Sequence, residues 1–198
     1  MIFRQKHISK LSDEQLMANI TAGNPKAFTE LYKRYNKRIY YFFLRMLGSD
    51  AELANDFLQD LFLKIIQKPE LYKPTHKFSG WLFSIAHNMC KNEYRSREVR
   101  KNFKTEENPD QYINPNFQED EINKESLIAA IFNELELLDE SQRSILILKY
   151  KENFSLKEIS DILELPVGTI KSRLHYARLE LSKRVKQKET FNGESYGK

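Results

Sequence analysis

The 198-residue chain is poor in the residues that mark several protein classes. Its one cysteine, Cys90, excludes an internal disulfide and a cysteine-ligated zinc site, and its helical spacing from Ala86 predicts a core position. The chain has six glycines and six prolines, and no run alternates apolar with polar residues as β-strands do. It lacks a stretch of the roughly twenty apolar residues that a membrane span needs, and its N-terminus has no signal-peptide-like run. We therefore expect an all-α, cytoplasmic protein without membrane insertion.

Residues that form catalytic or metal sites are also scarce. The four histidines are scattered, and none lies at metal-ligand spacing from a partner. There is no glycine-rich phosphate loop. Asp56 and Asp60 lie one helical turn apart, as ligands of a divalent ion can, but an exposed acidic helix face explains them better. The sequence predicts no catalytic residues, no metal and no cofactor.

What the chain does contain is an uneven distribution of charge around a net value of +4. Residues 91–104 hold six basic and two acidic side chains, and residues 165–188 hold seven basic and one acidic. Between these patches, residues 106–125 hold seven acidic side chains against one lysine. Basic patches attract polyanions, of which a nucleic-acid backbone is the commonest inside cells. The charge pattern therefore favours nucleic-acid binding.

The segment from Ser155 to Leu181 has the pattern of two helices joined by a tight turn. Ser155 and Glu158 are spaced as a capping box, and Pro166 ends the first helix or opens the second. The second helix is apolar on one side and basic on the other. A short helix, a turn and a basic helix form the geometry that places a recognition helix in a DNA major groove. The alternative is an ordinary helical hairpin with a solvated charged face.

Capping signals and composition divide the chain into two small helical domains joined by an acidic linker. Helix starts are indicated by the capping boxes of Ser12 with Gln15 and of Ser49 with Glu52, the cap at Asn24 before Pro25, and the cap at Asp139. The helix after Ser49 is predicted to bury Leu53, Phe57, Leu61 and Ile65. We expect a first domain over residues 1–104, a linker over 105–123, a helix-turn-helix domain over 124–186 and a flexible tail over 187–198.

In this order and spacing, three segments resemble a bacterial RNA polymerase sigma factor of the extracytoplasmic-function (ECF) type. They lie within residues 23–66 (including AELANDFLQDLFLKII), 78–97 (FSGWLFSIAHNMCKNEYRSR) and 138–181 (including SLKEISDILELPVGTIKSRLHYARLEL). The resemblance implies a promoter-specificity subunit that is not itself an enzyme. Its partners would be core RNA polymerase, through a coiled coil in the clamp of the largest subunit and the flap of the second-largest subunit, promoter DNA, and an anti-sigma factor.

The resemblance also assigns residues to the first domain. A DLxQExF-like helix that binds the clamp is matched by Asp56, Gln59, Asp60 and Lys64. The loop and helix that engage the minus-ten element, including a flipped base, are matched by His76, Lys77, Asn88, Lys91, Asn92 and Arg95. Basic side chains suit the backbone of an opened strand, and amides suit base edges. Trp81 is either a stacking platform or, as its spacing with Phe78 and Ile85 favours, a core residue.

The second domain resembles the reader of the minus-thirty-five element. The residues that would contact DNA are Thr169, Lys171, Ser172, Arg173, His175, Tyr176 and Arg178, although Tyr176 is equally suited to packing. Glu164 stands in the turn where the family often has glycine, which predicts a differently shaped turn. Two other functions remain open: a free-standing helix-turn-helix regulator, and a nuclease or recombinase that uses Asp56 and Asp60.

Overall fold

A computed structural model describes the backbone of residues 8–103 and 134–194, and side chains as far as residues 101 and 184 in these two ranges. Within them the chain is helical, which confirms the all-α prediction. Short 3-10 turns cover Ile8–Lys10 and Pro69–Leu71, and a π-helical turn covers Ile147–Lys151. The α-helices are α1 (Asp13–Thr21), α2 (Pro25–Met46), α3 (Ala51–Gln67), α4 (Phe78–Phe103), α5 (Glu140–Leu146), α6 (Leu156–Leu163) and α7 (Val167–Glu194).

The helix starts follow the local capping signals with one exception. The boxes at Ser12 and Ser155 and the caps at Asn24 and Asp139 are confirmed. The predicted box of Ser49 with Glu52 is wrong, because Ser49 lies in a left-handed backbone conformation with φ of 59°. Its hydroxyl donates to Glu136, and the Asp50 carboxylate instead accepts the amide of Leu53 at 2.9 Å. Asp50 is thus the N-cap of α3.

The N-terminal unit, residues 8–103, packs α1, α3 and α4 around α2. In α2, Leu31, Tyr35, Ile39, Phe42 and Met46 are buried, and Phe28 on the same side is only partly buried. The prediction for α3 is partly wrong, because the helix is rotated to bury Ala54, Leu58 and Phe62 with Leu61 and Ile65. Leu53 and Phe57 are only partly buried. This helix is apolar on more than one side, so the pattern alone did not determine which side faces α2.

Polar contacts fix α1 and the start of α4 in this unit. Arg34 of α2 donates to Asp13 at 2.7 Å and to the carbonyls of Leu11 and Ser9. The Glu14 carboxylate accepts the backbone amide of Phe78, the first residue of α4, at 3.1 Å. Because the first amides of a helix have no partner within the helix, this bond caps α4 from a distant element. The loop before α4 is therefore held at its C-terminal end.

The C-terminal unit, described from residue 134, consists of α5, the π-helical turn, α6 and α7. Ile159 and Ile162 of α6 pack with Ile170 of α7 in a core that excludes solvent. The helix α7 continues to Glu194, so it does not end near residue 187, where the tail was predicted to begin. The predicted linker over 105–123 and the start of the second domain at 124 lie outside the described residues.

The two units pack directly on each other. Helix α4 lies against α6, and the ring of Phe83 meets that of Phe154 at 5.3 Å between centroids in an edge-on arrangement. Ile145, Ile147 and Leu148 of the C-terminal unit belong to the same buried apolar cluster as the core of the N-terminal unit. The sequence did not predict this contact between the domains.

Candidate nucleic-acid interface

The basic side of α7 is open to solvent while its apolar side is buried. Ile170 and Ala177 are fully buried, and the predicted DNA-contacting residues after Thr169, which is half-buried, are exposed. These exposed residues are Lys171, Ser172, Arg173, His175, Tyr176 and Arg178. Tyr176 is 63% exposed with its ring edge-on to His175, so it does not pack in the core. The structure thus brings the predicted set together on one surface, which we call the α7 face.

The turn before α7 has the conformation that glycine would adopt. Glu164 has φ of 55° and ψ of 41°, a left-handed conformation that closes α6. The expectation that a residue with a side chain would change the shape of the turn is therefore wrong. Glu164 adopts the left-handed conformation despite the steric cost that its Cβ atom adds. Ser160 supports the turn by donating from its hydroxyl to the Leu165 carbonyl at 2.5 Å. The tight turn aims the N-terminal end of α7 outward.

A second exposed polar face lies on α4. Asn88, Lys91, Asn92 and Arg95 recur at helical spacing opposite the buried side of that helix, and all are exposed. His76 and Lys77 precede the helix in an exposed loop, which the Tyr72 hydroxyl ties down by donating to the His76 carbonyl at 2.7 Å. We call these six residues the α4 face. The amide and basic side chains thus lie beside each other on one exposed surface.

Trp81 belongs to the core side of this region. It is half-buried, and its ring lies 5.2 Å from that of Tyr72 and 5.7 Å from that of Phe78. Its partly buried side chain packs against the main apolar cluster. This supports the packing role that the sequence favoured over a stacking platform.

The predicted clamp-binding residues share the outer side of α3. Asp56, Gln59, Asp60 and Lys64 are all exposed, and Leu63 lies among them with 49% of its surface exposed. Leu58 of the same helix is 7% exposed and belongs to the core. We call the four predicted residues together with Leu63 the α3 face. No three His, Cys, Asp or Glu side chains form a metal-binding group among the residues that the structure describes.

Two titratable groups of α4 are buried beneath the α4 face. Burial, with a smaller contribution from Lys91, lowers the pKa of His87 to about 4, so this imidazole is neutral near pH 7. Its Nδ1 atom is buried without a hydrogen-bond partner. Burial also raises the pKa of the Cys90 thiol, which therefore stays protonated and unreactive. Both residues are structural, and Cys90 has the core position that was predicted.

Carboxylates of the C-terminal unit face basic side chains of the N-terminal unit. Glu158 of α6 pairs with Lys77 at 2.8 Å, and Glu152 pairs with Arg38 at 2.8 Å. The Glu140 carboxyl lies in the electrostatic field of Lys91, Arg143 and Arg95, although burial is the larger effect and raises its pKa. The hydrogen bond from Lys77, followed by those from Ser155, lowers the pKa of Glu158 to about 2. Sequence reasoning assigned Glu158 only to a capping box and missed these contacts.

Arg143 joins the units at their centre. Its guanidinium is buried and donates to the carbonyls of Leu135, Glu136 and Leu138 in its own unit. It also donates to the Arg45 and Met46 carbonyls, at 3.3 and 3.2 Å, at the C-terminal end of α2. Those carbonyls lie in the last turn of α2, where the positive charge faces the negative end of the helix dipole. No local sequence signal indicated this role.

Comparison with known families assigns a region to each of the two units. Residues 31–100 match the model of sigma-70 region 2, and residues 128–181 match that of sigma-70 region 4. The chain is an ECF-type RNA polymerase sigma factor. It is 29% identical to ECF RNA polymerase sigma factor SigW of Bacillus subtilis over 84% of this chain and 93% of that protein. It is 27% identical to ECF RNA polymerase sigma-E factor of Escherichia coli K12, over 89% and 95%.

A solved structure extends the likeness to the fold. The sigma factor RpoE of Bartonella quintana, determined with the anti-sigma factor NepR, is 25% identical. It aligns with a TM-score of 0.62 over 81% of this chain and 98% of that one. The present sigma factor therefore acts in transcription initiation, where it directs polymerase to promoters and is not itself an enzyme. None of its described helices is long and apolar enough to cross a membrane.

Proposed function

We propose that this sigma factor uses its three exposed faces for three separate contacts in initiation. The α3 face binds the clamp coiled coil of core polymerase, the α4 face binds the opened minus-ten element, and the α7 face reads the minus-thirty-five element. The observation that carries the proposal is that the predicted residues, apart from the half-buried Thr169, are exposed, and that each set lies on one helix or in the loop directly before it. The domain boundaries at residues 104 and 124 fit this division, with residues 105–123 as the connection.

For the α3 face, the chemistry favours a basic helical partner. Asp56 and Asp60 lie one turn apart beside the exposed apolar Leu63. Acidic groups around an apolar centre orient a basic partner, while the apolar contact supplies affinity. A clamp coiled coil with basic and apolar side chains meets both requirements. Lys64 extends the same face and offers a contact to an acidic group of that partner.

For the α4 face, the mixture of amides and cations favours an opened strand. Lys91 and Arg95 are one turn apart and suit successive phosphates, while Asn88 and Asn92 beside them suit base edges. The loop residues His76 and Lys77 lie at the N-terminal end of the same helix. A flipped base of the non-template strand would enter between the loop and the helix.

For the α7 face, the N-terminal half of the helix enters the major groove. Lys171, Ser172 and Arg173 approach base edges there, and Thr169 meets a phosphate at the positive end of the helix dipole. Arg173 is already held by a hydrogen bond of 2.5 Å to the Ser141 hydroxyl, which limits its freedom. Exchanging one such base contact changes discrimination by roughly 1–3 kcal/mol. Contact between the C-terminal unit and the polymerase flap would place this face on duplex DNA.

We further propose that this sigma factor is cytoplasmic and that an anti-sigma factor binds it when it is inactive. The relative from Bartonella quintana was solved with an anti-sigma factor, and it shares the fold over most of its length. Promoter DNA and core polymerase are the remaining partners. The acidic residues between 106 and 125 suit a positively charged channel of the polymerase.

The test is binding of the purified full chain to core polymerase. Reversing charge with Asp56→Lys and Asp60→Lys should weaken binding at least tenfold, because both changes oppose a basic partner. A matched control reverses Glu70 and Glu98, which are exposed on the N-terminal unit outside the α3 face, and should leave binding within about twofold. Equal weakening by both pairs would remove the assignment of the α3 face.

The same preparation separates the sigma factor from a free-standing helix-turn-helix regulator. Sequence-specific binding to duplex DNA should require core polymerase. Specific binding by the chain alone, with no effect on polymerase start sites, would favour the regulator. Divalent-dependent cleavage of DNA would favour the nuclease alternative.

A further inference from the structure

We propose that Ser141, on helix α5, is a positioning residue for promoter recognition by the α7 face. Its hydroxyl holds the Arg173 guanidinium so that two donors on another edge of that group meet one guanine of the minus-thirty-five element. The inference rests on the proposed function of the α7 face and deepens it. It adds a residue from outside the recognition helix, which the sequence did not single out, and it names the base that the contact selects.

One hydrogen bond restrains the guanidinium from the protein side. Arg173 Nη1 donates to Ser141 Oγ at 2.5 Å, across 32 positions of the sequence. Within residues 8–101 and 134–184, no carboxylate pairs with Arg173 and no second acceptor takes a hydrogen bond from it. Arg173 is exposed, whereas Ser141 is half-buried. The bond therefore restrains a side chain that would otherwise move freely in solvent.

Ser141 is placed firmly enough to orient another side chain. It is the second residue of α5, whose start is capped by the Asp139 carboxylate, which accepts the Gln142 amide at 2.8 Å. Leu146 of α5 and Ala177 of α7 are buried in one apolar cluster, which fixes the two helices against each other. A hydroxyl on a packed helix thus decides where a side chain on the exposed side of α7 points.

The remaining edge of the guanidinium has the geometry that guanine requires. Arginine carries five N–H donors in one plane, and its Nε and Nη2 atoms present two parallel donors. The bond to Ser141 uses Nη1 and leaves that edge open. Guanine offers two acceptors, O6 and N7, in the major groove, and arginine bonded to both is the commonest specific contact there. Adenine has an amino donor in place of O6, so it cannot accept both bonds.

Holding the side chain before DNA arrives favours the specific contact. A long side chain that becomes ordered only on binding loses roughly two- to twelvefold in affinity. Without the bond, Arg173 would also reach phosphates, which carry no sequence information. We therefore expect loss of the Ser141 hydroxyl to lower the preference for guanine about three- to tenfold.

The test measures base preference in transcription by the full chain with core polymerase, on promoters randomised across the minus-thirty-five element. Ser141→Ala should lower the preference for guanine about three- to tenfold at one position, the same position that Arg173→Ala affects. Preferences at the other positions should stay unchanged. Ser141→Thr keeps the hydroxyl and should restore the preference. The control Ser182→Ala removes an exposed hydroxyl further along α7 and should leave every preference within about twofold.

A purely structural tie between α5 and α7 gives a different result. Ser141→Ala would then lower transcription from all promoters alike, with base preferences unaltered, and this outcome would overturn the proposal. Ser141→Ala should also add nothing to Arg173→Ala, because both changes act through the same guanidinium. Additive losses in the double variant would overturn the proposal as well. If the alanine variant fails to fold, Ser141→Cys keeps the volume with only a weak acceptor and should show the same selective loss.

Arg173→Ala separates this inference from the proposed function. If Arg173→Ala leaves the base preference near minus thirty-five unchanged, the assignment of Arg173 to promoter reading is wrong, and the inference fails with it. If Arg173→Ala alters that preference and Ser141→Ala does not, only the role of Ser141 is overturned.

Discussion

Replacing Arg143 by methionine should destabilise the whole chain, because one guanidinium serves both units. The side chain is 8% exposed and donates to carbonyls of Leu135, Glu136 and Leu138 as well as to Arg45 and Met46. Methionine keeps much of the apolar volume but removes these donors, although the Met46 carbonyl still accepts from the Tyr94 hydroxyl and the Leu135 carbonyl from the amide of Leu138. Each buried acceptor that stays unpaired costs about 1–3 kcal/mol, although water can reach part of the gap.

We therefore expect Arg143→Met to lower the free energy of unfolding by about 3–5 kcal/mol, the range for removing one partner of a buried charged network. Total stability of a domain is about 5–15 kcal/mol, so the loss should be plain in urea denaturation followed by circular dichroism. The stability of Arg143→Lys should lie between those of wild type and Arg143→Met, because lysine keeps the charge but lacks the planar guanidinium with its several donors.

Arg100→Met is the matched control. Arg100 is 61% exposed and pairs with Glu93 on the same helix at 3.1 Å, so its loss should cost less than about 1 kcal/mol. A loss for Arg143→Met that is no larger than that of Arg100→Met would refute the reasoning. It would show that the contact between the units does not depend on the buried guanidinium.

Two further predictions concern titration and backbone strain. Because the pKa of His87 is about 4 in the folded chain and near 6.5 when unfolded, the unfolded state binds the extra proton between these values. The free energy of unfolding should thus fall as pH drops from 6.5 to 4, and His87 should contribute up to about 1.4 kcal/mol per pH unit. His87→Gln should remove that contribution from the pH dependence measured by denaturation. The same pH dependence in both proteins would contradict the prediction. At Glu164, with φ of 55°, substitution by glycine should raise stability by about 0.5–1 kcal/mol while alanine gives no gain, as measured by thermal unfolding; a gain with alanine would show that strain is not the cause.

The features predictable from sequence are those decided by neighbouring residues. The capping boxes at Ser12 and Ser155 depend on residues only three positions apart, and they are confirmed. The α7 face follows from a clear division between apolar and basic sides. Ser49 shows where local patterns fail, because its amide donates to the Leu44 carbonyl at the end of α2 and its hydroxyl bonds to Glu136 of the opposing unit.

Other features depended on contacts between distant residues. Helix α3 is apolar around much of its circumference, so packing against α2 decided that Leu58 and Phe62 turn inward. Arg38 and Glu152 are 114 positions apart, and Arg143 lies 97 positions from Met46. No spacing rule links such residues, so the packing of the units emerged only from the structure. The surface positions of the α3, α4 and α7 faces could be predicted because each lies on a single helix or, for His76 and Lys77, in the loop directly before it.

The most direct measurement is transcription by the full chain with core polymerase on a library of randomised promoters, with the upstream regions of the transcripts sequenced. Lys171→Ala/Arg173→Ala should relax base preference near minus thirty-five and leave the minus-ten preference unchanged. Asn88→Ala/Asn92→Ala should do the reverse. If both variants lowered transcription from all promoters equally, with base preferences unaltered, the assignment of the α4 and α7 faces would be contradicted.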